Sequence, residues 1–193
     1  RLGNFPCKYL GLQLAIRQLT RAEWQPMLDQ AKIFAPAWQR GLLHRPGRLV
    51  LVKSVIAAKP IHHFMIEDAL LWVFDEIYQW MRGFFWVGKN KANGGQCLVA
   101  CNLVCKPTWL GGLAVRDLRL QGLALRVHWE WLWRTDLERP WQGLPMVVDR
   151  EARVVFDSLV HIEVGRGNKD LFRRDRWIHG YSVKDIAPFI HAQ

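Results

Sequence analysis

The sequence predicts a mainly α chain of the α+β kind: a helical bundle with short β-hairpins near the N-terminus and near residues 160–178. Three observations carry this. Apolar residues recur at helical spacing in several long stretches. Gly and Pro fall between those stretches, where turns belong. Half of the 193 residues are hydrophobic and 12% are aromatic, enough to bury a core.

In chain order, residues 5–14 form a short strand pair broken at Gly11. A helix follows. Thr20 and Glu23 have capping-box spacing, and Trp24, Met27, Leu28 and Ala31 share one face. Pro26 fits a helix only in its first turn, so the helix is expected to start a few residues after the box. A Pro-Gly turn at 46–47 leads into a second helix ending at Pro60. The clearest helix spans Asp68 to Gly88, with Leu70, Val73, Phe74, Ile77, Met81, Phe84 and Phe85 as its apolar stripe.

A basic, Gly-rich loop follows at 89–95, and residues 109–115 read as a turn and a short extended piece. The helix over 117–135 is expected to turn Leu120, Leu123, Ala124, Val127 and Trp131 inward. Pro140, Gly143 and Pro145 mark a boundary near 136–146. Beyond it lie a short helix and two extended segments about Gly167-Asn168. The segments are thus residues 1–19, 20–135 and 146–193.

Net charge is +10, with 27 basic against 17 acidic residues. Such a balance favours polyanions, nucleic acid before anionic membrane. No acid stands between Asp29 and Glu67, where Lys32, Arg40, Arg45, Arg48, Lys53 and Lys59 lie. None stands between Glu76 and Asp117, which bracket Arg82, Lys89, Lys91, Lys106 and Arg116. The four cysteines do not make a secreted disulfide framework, and no run is long enough to span a bilayer. The expected setting is intracellular, nucleus or cytoplasm, with no membrane partner.

Catalytic chemistry is hard to assemble. Cys97, Cys101 and Cys105 are spaced by four, which on a helix puts three thiols on one face. A zinc site would need a second ligand pair, so no metal is assigned. The pair His62-His63 reads as surface or backbone-bonded, and Asp75 and Glu76 as pointing apart on a helix. Gly165 to Lys169 lacks the full phosphate-loop pattern, and the serines Ser54, Ser158 and Ser182 lie in no nucleophile motif. No catalytic residue and no cofactor follow from the residues.

Several stretches, taken together and in order, resemble one family: "FPCKYLGLQL", "RPGRLVLVKSVIAAKPIH", "IYQWMRGFFWVGKNKANGGQCLVACNLVCKP", "LGGLAVRDL", "LALRVHWEWLWR" and "GRGNKDLFRRDRWIHGYSVKDIAPFI". They are similar to the later part of plant LINE-type (non-LTR) retroelement reverse transcriptases, which are RNA-directed DNA polymerases. The resemblance implies that residues 1–19 end the palm and that 20–135 form a helical thumb and connector. Residues 146–193 would be an α+β segment. The chain would be a piece of a longer polyprotein whose palm and fingers are its partners.

What the resemblance implies is a grip on the backbone of an RNA–DNA hybrid or duplex, through Arg45, Arg48, Lys53, Lys89 and Lys91. The family's Tyr-x-Asp-Asp motif, which holds Mg²⁺, is expected upstream. No Asp-Asp pair occurs in this sequence, so polymerisation by the chain alone is not expected. Cys101 and Arg173 stand where the family usually shows a large aromatic, which implies relaxed constraint. The contrasting reading is a protein-interaction remnant of a decayed element, using exposed tryptophans such as Trp133 and Trp141. A thumb cut from its palm is also expected to expose apolar surface around Phe5, Tyr9 and Leu10.

Overall fold

A computed structural model describes residues 7–15, 17–33, 42–136, 138, 149–165, 171–173 and 175–187. The described chain opens on an antiparallel hairpin. Strand β1 (Cys7–Tyr9) pairs with β2 (Leu12–Leu14), Cys7 facing Leu14 and Tyr9 facing Leu12. The turn places both Leu10 (φ 48°) and Gly11 (φ 87°) in the left-handed region, the arrangement a two-residue hairpin turn of the primed kind demands. Glycine accepts that readily; leucine does so at a cost of about 1–2 kcal/mol. Leu10 is 78% exposed. Phe5 and the Tyr9 side chain lie outside the described part.

Helix α1 (Arg21–Ile33) begins where the capping box puts it, and the later start expected from Pro26 does not occur. The Glu23 carboxylate accepts from the Thr20 N–H (2.6 Å) and the Thr20 hydroxyl (2.7 Å), while Arg17 grips both its oxygens at 2.8 and 3.0 Å. These bonds fix the first turn firmly enough that the helix carries Pro26 in its interior, without an N–H to offer Ala22.

Pro46 and Gly47 belong to the next helix rather than to a turn before it. Helix α2 (Arg45–Leu51) has Pro46 in its first turn, where proline's missing N–H costs nothing. It widens into a π-helical turn over Val52–Ile56 and continues in turns to the buried Pro60, which caps the one-turn helix α3 (Ile61–Phe64). Helix α4 (Leu71–Arg82) likewise widens into a π-helical turn over Gly83–Val87 and stops at Gly88 (φ 75°).

Val73, Phe74, Ile77, Met81, Phe84 and Phe85 of the expected stripe are buried, with Leu70 packed at its edge. Trp80 joins them, and with Trp24, Leu28, Ile56, Phe64 and Leu118 they make one apolar core. Aromatic rings interlock there, Phe64 lying 4.7 Å from Phe74 and 6.3 Å from Trp24 between centroids.

After a loop come α5 (Cys101–Val104) and a 3₁₀ turn over Thr108–Leu110. The long helix α6 (Leu118–Thr135) is started by Asp117, whose Oδ1 accepts from the N–H groups of Arg119 (3.0 Å) and Leu120 (3.2 Å). Tyr78 of α4 donates its hydroxyl to the same oxygen at 2.8 Å and accepts from the Leu118 N–H at 2.9 Å. Burial and the bond to Asp117 push the phenol's pKa well up.

The chain divides into two compact units, residues 1–122 and 123–193, and the division falls inside α6. The inward face of α6 is not the expected one. Leu120, Ala124 and Trp131 are exposed, and Leu123 and Val127 half-buried, whereas Leu118, Gly122, Arg126 and Glu130 are buried. The reason is polar. Arg126 Nε meets Asp149 Oδ2 at 2.5 Å, and Asp149 in turn caps α7 (Arg150–Leu159) by accepting from the Glu151 N–H.

Arg134 pairs with the buried Asp175, which also accepts from the Leu171 N–H at 2.8 Å. Ser182 and Asp185 form the capping box of a last turn, α8 (Val183–Ile186). Of the pairing expected near 160–178, the described residues contain one antiparallel bridge, Ile178–Tyr181, about His179-Gly180. Gly167-Asn168 lies outside the described part, as does most of 137–148. Among the described residues no helix is long and apolar enough to cross a membrane.

Candidate nucleic-acid interface

The expected contact residues fall into two groups within the first unit. Arg45 is exposed at the start of α2, and its guanidinium lies over the Trp86 ring, 5.7 Å from the centroid. Stacking of this kind steadies a cation while leaving its N–H groups free to point outward. Arg48 is half-buried one turn on, and Lys53 is half-buried in the π-helical turn.

Lys89 and Lys91 are exposed in the loop after Gly88. That loop folds back onto α4, its Lys89 N–H donating to the Gly83 carbonyl at 3.1 Å. A Cβ at Gly83 would sit 2.7 Å from the Lys89 carbonyl oxygen and 2.8 Å from Lys91 Cα. Glycine is therefore what lets the lysine loop lie against the helix.

Two grooves meet along this loop. One, of about 290 Å³, is lined by Gln79, Arg82, Lys91, Asn93 and the glycines 94 and 95, with Cys97 at its side and no carboxylate among the described residues. The other, of about 520 Å³, shares Gln79 and Lys91 but also holds Asp75 and Glu76. Both acids border that groove, Asp75 exposed and Glu76 half-buried. Lys32 is committed there to Glu76 at 2.5 Å, and Arg21 lies over the Trp72 ring at 5.0 Å. The larger groove is thus of mixed charge, while the charged residues described along the smaller one, Arg82 and Lys91, are both cations.

Lys91 shares its groove with Arg82, which closes α4 and stands in the acid-free run between Glu76 and Asp117. Its signal was position: a cation immediately before Gly83 and the lysine loop. His63 is half-buried against Trp24 and bonded to the Gly11 backbone; burial, and then His62, hold its pKa down. Trp133 is half-buried and Trp141 lies outside the described part, whereas Trp109 is 79% exposed. Of the three thiols spaced by four, only Cys101 is on a helix; Cys105 caps its end and Cys97 lies in the loop before it. Among the described residues no group of three or more His, Cys, Asp or Glu stands close enough to hold a metal ion.

Comparison with known proteins gives one distant relative. Over 118 residues the chain is 27% identical to an Arabidopsis thaliana protein named "Putative ribonuclease H protein", a match covering 60% of this chain and 19% of the relative. The chain therefore spans about a fifth of that relative's length. No family model matches the chain. No solved structure matches it.

Proposed function

We propose that the first unit grips the phosphate backbone of a nucleic-acid duplex, an RNA–DNA hybrid above all, as the thumb and connector of a LINE-type reverse transcriptase. The observation that carries this is the smaller groove: Arg82 and Lys91 face it with no competing acid among the described residues, beside Asn93 and two glycines with open space above them. Arg45, stacked on Trp86, and Lys89, exposed in the loop after Gly88, add two further cations to the same unit. Such contacts position a strand without reading its sequence, which is the task of a polymerase thumb. The similarity to a plant protein named as a putative ribonuclease H protein is in keeping with a chain derived from a retroelement polyprotein.

On this reading the chain itself is not catalytic. Its sequence has no Asp-Asp pair to align two Mg²⁺ ions, so the metal chemistry belongs to the palm of the parent polyprotein. Primer extension assays with Mg²⁺ or Mn²⁺ should give no incorporation.

The test is hybrid binding against salt. Affinity should fall with a log–log slope of about −0.7 to −0.9 per phosphate neutralised, and Arg82→Ala with Lys91→Ala should flatten it by about two such contacts. A salt-independent affinity, or none, defeats the proposal. The contrasting interaction-remnant reading rests on Trp109, exposed beside the exposed Leu103 and Leu110. It requires salt-insensitive self-association that Trp109→Ser abolishes.

A further inference from the structure

The larger groove holds acids and so has no task in gripping phosphates. It is built on one face of α4, where Trp72, Asp75, Glu76 and Gln79 follow one another at i, i+3, i+4 and i+7. Helix α1 adds Arg21 and Lys32 to its lining, and the loop adds Asn90 and Lys91. Gln79 and Lys91 border both grooves, so a strand held in the smaller one runs beside the larger. Given the backbone grip, on which this inference rests, we propose that the larger groove takes the base of one unpaired nucleotide at the end of a hybrid. The phosphate of that nucleotide stays at Lys91 and Arg82 in the smaller groove.

Charge decides which part of the nucleotide enters. Lys32 is already paired with Glu76 at 2.5 Å and has little to offer a second anion. Asp75 is exposed in the same groove and repels one. A neutral base meets the opposite conditions. Carboxylates accept from its N–H groups, and the exposed amides of Gln79 and Asn90 both donate and accept.

The flat face of a base also needs a flat partner. Arg21 is exposed, and its guanidinium lies 5.0 Å from the centroid of the half-buried Trp72 ring. Unpaired bases stack on aromatic rings and on Arg guanidinium planes alike. At about 520 Å³ the groove has the size of pockets that enclose one small ligand, not a length of duplex. A paired base keeps its hydrogen-bonding edge against its partner and its faces against its neighbours. Only an unpaired one can use the groove.

The experiment measures binding of the full chain to hybrids of one sequence that differ only at their ends. One is blunt, one carries a single unpaired nucleotide at each strand end in turn, and one carries an abasic nucleotide there instead. The abasic form keeps the phosphate and loses only the base. The unpaired nucleotide should tighten binding about tenfold over the blunt hybrid at one end at least, and the abasic one should not. In Trp72→Leu, which removes the ring under the Arg21 guanidinium, the ratio of unpaired to blunt affinity should fall to about one. A gain that the abasic nucleotide reproduces is phosphate attraction and overturns the inference, as does no gain at any end. The backbone grip is read separately, from the blunt hybrid and its salt dependence, and no binding to any hybrid overturns both. The abasic comparison needs no variant, so a Trp72→Leu chain that fails to fold leaves the test intact.

Discussion

The two units are held together by different means. In residues 1–122 the interior is aromatic and aliphatic: Trp24, Phe64, Phe84, Leu28, Ile56, Ile77 and Leu118 are all under 2% exposed. In residues 123–193 the buried described residues include only Ala152 and Phe156 among apolar side chains, beside Arg126, Glu130, Asp175 and Ser182. The first unit resists change through packed volume, which is insensitive to pH and salt. The second depends on whether each buried charge keeps its partner, since an ion taken out of water is costly alone.

The sharpest way to break this comparison is to remove the volume. Phe64 touches both Trp24 and Phe74 and has no exposure, so Phe64→Ala should cost about 4 kcal/mol in urea unfolding, the transfer loss plus the cavity left among rigid rings. In the second unit the equivalent is Asp175→Ala, which strands Arg134 and the Leu171 N–H. That change should cost about 3 kcal/mol, because one partner of a buried pair is left behind. Asp175→Asn keeps the volume and the bond from Leu171 but not the charge, and should recover only part of the loss. If Asp175→Asn equals wild type, the second unit is held by packing after all.

The difference also explains what the sequence could announce. The stripe on α4 was legible because its interior is apolar and the 3.6-residue period reports it directly. On α6 the same rule chose Leu120, Ala124 and Trp131, which are exposed. Its buried residue Arg126 looks like a surface residue until Asp149, far along the chain, supplies a partner, and Glu130 is buried beside the same ion pairs. Periodicity finds a face that meets hydrocarbon and misses one that meets charge. The candidate site divides in the same way. Lys89 and Lys91 announced themselves in a basic, Gly-rich loop, but the part of Arg82 depends on the loop folding back over Gly83, a contact that no local pattern encodes.

A smaller effect sharpens the account of the first unit. Leu10 holds a left-handed conformation at the tip of the hairpin and gains little from it, being exposed. Leu10→Asn creates the Asn-Gly pair this turn prefers and should stabilise the chain by about 1 kcal/mol in urea unfolding. No gain would mean that the Leu10 side chain is held by contacts that offset its strain.

The finest test is pH, where the two units should move in opposite directions. Glu23, gripped by Arg17 and Thr20, has its pKa lowered to about 2 from 4.5. Its contribution is complete above about pH 4.5 and is lost as pH falls through about 2, when the carboxylate that closes the start of α1 takes up a proton. Glu130 is the reverse. Burial raises its pKa above 4.5, and Asp157 and Asp149 push the same way against Arg153 and Arg134. A carboxyl raised in the folded state favours folding while protonated, so its contribution is present below pH 4.5 and is lost as pH rises through the folded value.

Glu130→Gln should therefore raise the urea midpoint at pH 7, and Glu23→Gln should lower it and remove the acid loss between pH 4.5 and 2. Both variants delete one negative charge from a chain of net charge +10, so a general charge effect would shift them alike. Only the local environments, a half-buried cap gripped by Arg17 and a buried carboxyl among ion pairs, give them opposite signs.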